Sequence, residues 1–212
     1  MPTRNLDINA AIKFGWDTTL ENWKFFLPVV TVLVVISGLL GRIGGMGRGS
    51  VYGSLLGALL NVVVAANLYH VAIQFADKKQ VGWPDLWTLP VERLVRYVGA
   101  QIVSAVLIGL GFLLLIVPGI YLSCRFSQVR WLVVEGTGVW QALDESGRLT
   151  QGMIWSLIGF GLARGVVLIL GFLAFGVGIF VALPVVLLAE AHVYRQLTGA
   201  AEQVVGETVV TL

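Results

Sequence analysis

Six long apolar runs divide this chain, and they constrain its fold more than any other feature of the sequence. They cover residues 25–40, 52–76, 97–117, 120–135, 153–175 and 176–196. An α-helix needs about 20 apolar residues to span the hydrocarbon core of a bilayer, and it satisfies its backbone hydrogen bonds internally. We therefore predict an all-α polytopic membrane protein, with about six transmembrane helices in a single domain over residues 1–212.

The composition agrees with this class. Hydrophobic residues make up 57% of the chain and charged residues 12%, whereas about a quarter of a soluble domain is charged. The formal net charge is only +2, and the basic residues are dispersed, so nucleic acid is not an expected partner. The single Cys124 cannot form an intrachain disulfide.

Two segments of mixed polarity are predicted to be amphipathic interfacial helices, at residues 7–23 and 137–150. In the first, Ile8, Ile12 and Trp16 recur at helical spacing, with Lys13 and Asp17 on the opposite side. The second alternates in the same manner, and Thr137 is its predicted N-cap. These helices are expected to lie on the membrane face before the first and fifth crossings.

The two interfacial segments also indicate an internal repeat. An offset of 131 residues aligns Ala11, Ile12 and Thr19 with Ala142, Leu143 and Thr150. Each segment precedes a predicted two-helix hairpin, so a repeat of surface helix and hairpin is one interpretation of the chain.

A tight hairpin is predicted at Pro118 and Gly119, between the third and fourth crossings. Proline disfavours a helical residue before it, and glycine permits the chain to reverse. The fourth crossing, residues 120–135, is then an apolar helix that carries Arg125, Gln128 and Arg130.

The basic residues predict the orientation of the chain. The loops on the opposite side of the membrane from the N-terminus hold Arg42 and Arg48. The side of the N-terminus holds nine basic residues: Arg4, Lys13, Lys24, Lys78, Lys79, Arg93, Arg96, Arg148 and Arg195. Lysine and arginine are enriched on the cytoplasmic side of membrane proteins. Both termini are therefore expected in the cytoplasm.

Three strings carry a resemblance to a known family: KFGW at residues 13–16, PGIY at 118–121 and VVEGTGVWQALDESGRLTQG at 133–152. They resemble a broad family of bacterial six-helix membrane proteins, near the glycerophosphoryl diester phosphodiesterase membrane domain and YciC-type proteins. The resemblance covers essentially the whole chain and implies a protein of the bacterial inner membrane without an agreed activity. That family often has a large aromatic residue after the serine of the second surface helix, where this chain has Gly147.

Four ionisable residues stand inside the apolar runs: Arg125, Arg130, Arg164 and Glu190. Charged groups at such depth cost several kcal/mol, so they normally face the bundle interior, pair with one another or line a wet cavity. We predict a buried polar or anion site from these four residues. Gln128, Glu135 and His192 are expected at its periphery.

Two interpretations of this charge cluster remain open. In one, the surplus arginines bind an anion, such as a lipid phosphate or an acidic solute, through the fork-shaped guanidinium. In the other, the charges pair structurally, and the arginines extend toward headgroups or water.

No catalytic, cofactor or metal motif accompanies these residues. The sequence contains no GxSxG, HExxH, CxxC or Walker pattern. Asp144 and Glu145 are adjacent on a helix and point about 100° apart, which does not suit paired acid–base chemistry. No cofactor and no metal are expected, and an intramembrane enzyme that uses Glu190 and His192 stays open as an alternative.

The functional prediction is a non-enzymatic multi-pass inner-membrane protein, acting as an accessory, scaffold or envelope-maintenance component. The alternative is a small transporter, or a lipid- or anion-binding protein that uses the buried arginines. The expected partners are membrane lipids, an anionic lipid or solute, and either a second copy of the chain or another membrane protein.

Overall fold

A computed structural model describes residues 6–32, 50–77, 81–174 and 178–210. These residues form α-helices and one 3₁₀ helix, and they contain no strand. In chain order the helices are α1 (Ile8–Glu21), α2 (Trp23–Val32), α3 (Ser50–Ala76), the 3₁₀ helix (Trp83–Trp87), α4 (Val91–Leu114), α5 (Ile116–Arg125), α6 (Val129–Glu135), α7 (Val139–Leu149), α8 (Ile154–Leu173) and α9 (Ile179–Val210).

Three of these helices have stretches long and apolar enough to cross a membrane: Val91–Leu114, Ile154–Leu173 and Ile179–Gly199. Trp23–Val32 and Asn61–Ala76 are shorter apolar helices. Part of the predicted first crossing, residues 33–40, lies outside the described residues, as do residues 175–177, where the predicted fifth crossing ends and the sixth begins. The all-helical, membrane-compatible class is thus confirmed, and the count of six crossings stays a prediction.

The predicted reversal at Pro118 and Gly119 is wrong, because the chain turns earlier. Leu115, with φ −167° and ψ 156°, separates α4 from α5. Pro118 lies in the first turn of α5, where a helix has no acceptor for the missing N–H. Gly119 faces α4, and a Cβ there would overlap the ring of Phe112, so the glycine serves close packing of the two helices.

The predicted continuous helix over residues 120–135 is also wrong. The chain leaves the helical path at residues 126–128, between α5 and α6. Ser127 Oγ donates to the Cys124 carbonyl at 2.7 Å, a local side-chain bond of the kind that competes with helical hydrogen bonding. Helices α5 and α6 together run back along α4, because Arg93 and Arg96 at its start donate to carbonyls at the end of α6.

Helix α7 (Val139–Leu149) corresponds to the second predicted interfacial helix, residues 137–150, and begins two residues later than predicted. Its N-cap is Gly138, without a side-chain cap hydrogen bond, so the predicted Thr137 cap is wrong. Gly136, with φ +117°, ends α6 in the left-handed conformation that favours glycine and reverses the chain. Helix α7 buries Leu143 against the bundle, while Asp144 is exposed.

Helix α1 packs along α9. Its buried face is Ala11, Gly15 and Thr19, whereas Trp16 is 50% exposed. Asp7 N–H donates to Gln196 Oε1 at 3.2 Å, and Gly15 abuts Val185 eleven residues earlier in α9, a separation of about 16 Å along a helix. Helix α1 therefore lies along the axis of α9. A helix lying flat on the membrane face, as predicted, would instead contact α9 over only a short part of its length.

The two segments aligned by the predicted repeat bury equivalent positions. The aligned buried sets are Ala11, Gly15 and Thr19 in α1, and Ala142, Ser146 and Thr150 at α7. Thr19 and Thr150 each donate to the carbonyl four residues earlier, at 2.7 Å and 2.8 Å. Their packing partners differ, because α1 contacts α9 and α7 contacts α6.

The core is centred on Trp131 of α6. Its ring lies edge-on to Tyr69 of α3, with centroids 4.6 Å apart, and stacks on Tyr194 of α9 at 5.9 Å. Trp131 and Tyr194 are fully buried. These aromatic contacts hold α6 between α3 and α9 and fix the direction of its neighbouring residue, Arg130.

Replacement of Gly15 by alanine should weaken the contact between α1 and α9. The new Cβ would overlap the Val185 carbonyl oxygen, and overpacking typically costs about 1–3 kcal/mol of unfolding free energy. Thermal unfolding in detergent measures the effect. The control is Gly109→Ala in α4, where a Cβ meets open space; equal stability of the two variants would contradict the observed packing.

Candidate functional site

A cavity of about 780 Å³ lies beside the break between α5 and α6. Ser104 of α4, Gln128 of the break, Arg130 of α6, Arg164 of α8 and Glu190 of α9 all line it. Arg164 stands ten residues after Ile154, where the 20-residue α8 begins, and therefore about 15 Å from either end of that helix. We call the charged residues of the lining, Arg130, Arg164 and Glu190, the polar floor of the cavity. Arg164 places this floor near the middle of a helix long enough to cross a bilayer.

Arg164 and Glu190 form an ion pair between Nη1 and Oε1. The Glu190 side chain is 11% exposed and that of Arg164 is 41% exposed. A nearly buried carboxylate without a cation would be strongly destabilising. Arg164 therefore balances the charge of Glu190, and the charge of the second arginine in the lining has no counter-ion in this pair.

That second arginine, Arg130, has neutral hydrogen-bond partners. Its Nη1 donates to Tyr69 Oη at 2.7 Å, and its Nε donates to the Ser127 carbonyl at 3.4 Å. The guanidinium carbon lies 5.4 Å from the centre of the Tyr69 ring, a cation–π distance. Among the described residues no carboxylate forms a salt bridge with Arg130. The charged residues that line the cavity, Arg130, Arg164 and Glu190, therefore carry a net charge of one positive unit.

Two buried polar atoms at the cavity have no hydrogen-bond partner within the described part of the chain. They are Ser104 Oγ and Gln128 Oε1, on residues that are 6% and 5% exposed. The amide nitrogen of Gln128 is used, because it donates to Ser127 Oγ at 3.0 Å. Buried polar groups in proteins nearly always have partners, so these two atoms are exceptions, and their burial in the wall keeps them out of reach from the open part of the cavity.

Ser146 of α7 bridges the break from outside the cavity. Its Oγ donates to the Arg125 carbonyl at 2.7 Å and accepts the Gln128 N–H at 3.3 Å. The end of α5 and the start of α6 leave such groups without helical partners. One hydroxyl, fully buried, therefore satisfies both sides of the break.

Arg125 does not belong to the cavity, and this corrects the predicted four-residue site. Helix α5 ends at Arg125, whose side chain turns toward α7 and covers Gly147, where an added Cβ would lie 2.8 Å from Nη2. Its Nη1 also donates to Tyr121 Oη at 3.4 Å. The arginine occupies the space that a side chain at position 147 would need.

Glu135 lies in a separate cluster at the end of α6. It accepts a hydrogen bond from Tyr194 Oη and pairs with Arg195 Nη2 at 2.8 Å. Arg195 Nε also pairs with Asp77 at 2.7 Å. This cluster ties the ends of α3 and α6 to the middle of α9 and contributes nothing to the lining of the cavity.

The other two residues predicted at the periphery separate as well. His192 stacks on Phe14 of α1, with ring centroids 4.7 Å apart, and is not among the residues that line the cavity. Gln128 is part of the lining itself. The structure thus brings Gln128, Arg130, Arg164 and Glu190 together and keeps Arg125, Glu135 and His192 apart from them.

Over the residues that the structure describes, the fold is all-helical, with three helices long and apolar enough to cross a membrane and a polar cavity between helices. Comparisons with protein families, with curated proteins and with solved structures give no match. The resemblance to the bacterial six-helix family stays a prediction.

Replacement of Ser146 by alanine should destabilise the break. The change removes the bridge between the Arg125 carbonyl and the Gln128 N–H, and a buried polar group that loses its partner costs about 1–3 kcal/mol of unfolding free energy. Chemical or thermal unfolding in detergent measures the difference. Glu145→Ala, at an exposed position of the same helix, is the control, and the bridge would be unimportant if both variants matched the parent.

Proposed function

We propose that this chain is a non-enzymatic multi-pass protein of the bacterial inner membrane that binds an anionic group in the cavity beside the α5–α6 break. The observation that carries the proposal is the charge of the cavity. Glu190 is already paired with Arg164, while Arg130 contacts only neutral oxygens among the described residues. An anion would neutralise the remaining charge.

The chemistry of the lining favours a phosphate or carboxylate. A guanidinium offers parallel N–H donors that match the oxygens of either group. Arg130 uses one Nη and its Nε within the protein, and its Nη2 has no protein acceptor among the hydrogen bonds of the described residues.

The helix break supports a small transporter as a specific form of this function. Discontinuous helices near the middle of the membrane commonly build the substrate sites of secondary transporters. Helices α5 and α6 meet at residues 126–128 beside the cavity. In the scaffold alternative, by contrast, the same charges would serve only to hold the bundle together and no ligand would be bound.

Loss of the Arg130 charge should abolish anion binding. The parent should gain thermal stability with increasing inorganic phosphate or dodecyl phosphate, relative to chloride at equal ionic strength. A ligand at 100 times its dissociation constant adds about 2.7 kcal/mol to the unfolding free energy. Arg130→Gln should lose this gain, whereas Arg148→Gln, at an exposed position of α7, should keep it.

The scaffold alternative gives a different result in the same experiment. Arg130→Gln would then be less stable than the parent because the hydrogen bond to Tyr69 is lost, but neither protein would respond to either phosphate. A parent that is unresponsive to both probes would overturn the proposed anion binding.

We also propose that both termini are cytoplasmic. Support comes from basic residues at one end of the bundle, where Arg93 and Arg96 contact the end of α6 and Arg195 pairs with Glu135. Arginine and lysine favour the cytoplasmic side. The predicted loop with Arg42 and Arg48 would then face outward.

Cysteine labelling tests this orientation in a Cys124→Ser background. Glu145→Cys should react with a membrane-impermeant maleimide in inverted vesicles and stay unreactive in intact cells. Arg48→Cys should show the reverse. Labelling of Glu145→Cys from outside intact cells would show that the orientation is wrong.

A further inference from the structure

The cavity opens through the side of the helix bundle. Phe112 of α4, Ile120 of α5 and Leu162 of α8 line it, and they are 47%, 41% and 70% exposed on the outside of the protein. Large apolar side chains therefore form part of the opening. Arg164 contacts the same space and is itself partly exposed.

This opening lies at the depth of the crossing helices. Leu162 is eight residues after the start of α8 and eleven before its end, which places it at least about 12 Å from either end. Exposed apolar residues at that depth of a crossing helix face lipid chains. The route into the polar floor thus begins in the hydrocarbon layer, and a fully hydrated anion would meet apolar side chains first.

The α8 wall leaves room along this route. Gly161 lines the cavity, and a Cβ added there would meet no atom within 4 Å. A volume of about 780 Å³ is in the range that holds organic ligands, about 300–1,000 Å³. An inorganic anion alone would leave most of this space unfilled.

We propose that the occupant is an anionic amphiphile, with a phosphate or carboxylate head on Arg130 and Arg164 and an acyl chain that leaves between α5 and α8. This inference rests on the proposed anion binding and adds the class of ligand and its route. The ligand comes from the lipid bilayer. Binding of a free anion from water is the competing outcome of the experiment below.

Native mass spectrometry of the full chain, released from phosphatidylcholine nanodiscs with added phosphatidylglycerol, tests the inference. The parent should retain phosphatidylglycerol in preference to phosphatidylcholine. Gly161→Leu should reduce that retention about tenfold, equivalent to 1.4 kcal/mol of binding, because the leucine fills the α8 wall. Gly165→Leu is the matched control, since a Cβ added at Gly165 also meets no atom within 4 Å, while Gly165 is not among the residues that line the cavity.

A second pair of variants tests the opposite wall if Gly161→Leu does not fold. Ala105→Phe adds a ring at an exposed position that lines the cavity, whereas Val106→Phe adds one at the next exposed position outside the lining. Only Ala105→Phe should lose the lipid. Thermal unfolding of each variant confirms that it is folded.

The outcomes separate this inference from the anion proposal beneath it. If inorganic phosphate stabilises the parent and all wall variants equally, while no variant changes phosphatidylglycerol retention, the cavity binds a small anion and the amphiphile inference is overturned. If no phosphate probe binds and Arg130→Gln changes nothing, both proposals fail. Preferential retention that is lost in Gly161→Leu or Ala105→Phe and kept in the controls supports both.

Discussion

The break between α5 and α6 is bridged by buried hydroxyl groups, chiefly that of Ser146. Where water is scarce, backbone groups released from a helix must find partners within the protein. Ser146 accepts the Gln128 N–H and donates to the Arg125 carbonyl, to which Thr150 also donates at 3.4 Å. The rest of the site follows from this bridge, because the break turns Arg130 into the cavity and leaves Arg125 on the side of α7.

Charge in the cavity is arranged so that Glu190 pairs directly with Arg164, whereas Arg130 has neutral hydrogen-bond partners and feels the Glu190 charge without a direct salt bridge. Arg164 and Glu190 neutralise one another, while Tyr69 offers Arg130 a hydroxyl and an aromatic face. Neutral oxygens lower the cost of burying a cation without cancelling its charge. A bundle built only for stability would gain more from a second carboxylate or from apolar packing.

Much of the architecture could be predicted from the sequence, and the failures have physical causes. Long apolar runs identify α4, α8 and α9 because length and hydrophobicity decide whether a helix can cross a bilayer. The α5–α6 break could not be predicted, since it depends on Ser146, which is 18 residues from Gln128 in the chain. For α1 the large residue Trp16 dominated the amphipathic pattern, yet the small Gly15 forms the contact.

The same limit applies to the site. Arg130, Arg164 and Glu190 could be predicted because charge inside an apolar run is conspicuous in any sequence. Tyr69 is an ordinary residue of an apolar helix, and only its hydrogen bond with Arg130 gives it a role at the site. The packing of α1 on α9 has a consequence for biogenesis: Asp7 and Gln196 are 189 residues apart, so the small-residue face of α1 has no partner until the ribosome has made α9. Until then that face must be covered by lipid, by the insertion machinery or by another protein, and α1 can complete its packing only after α9 has been made.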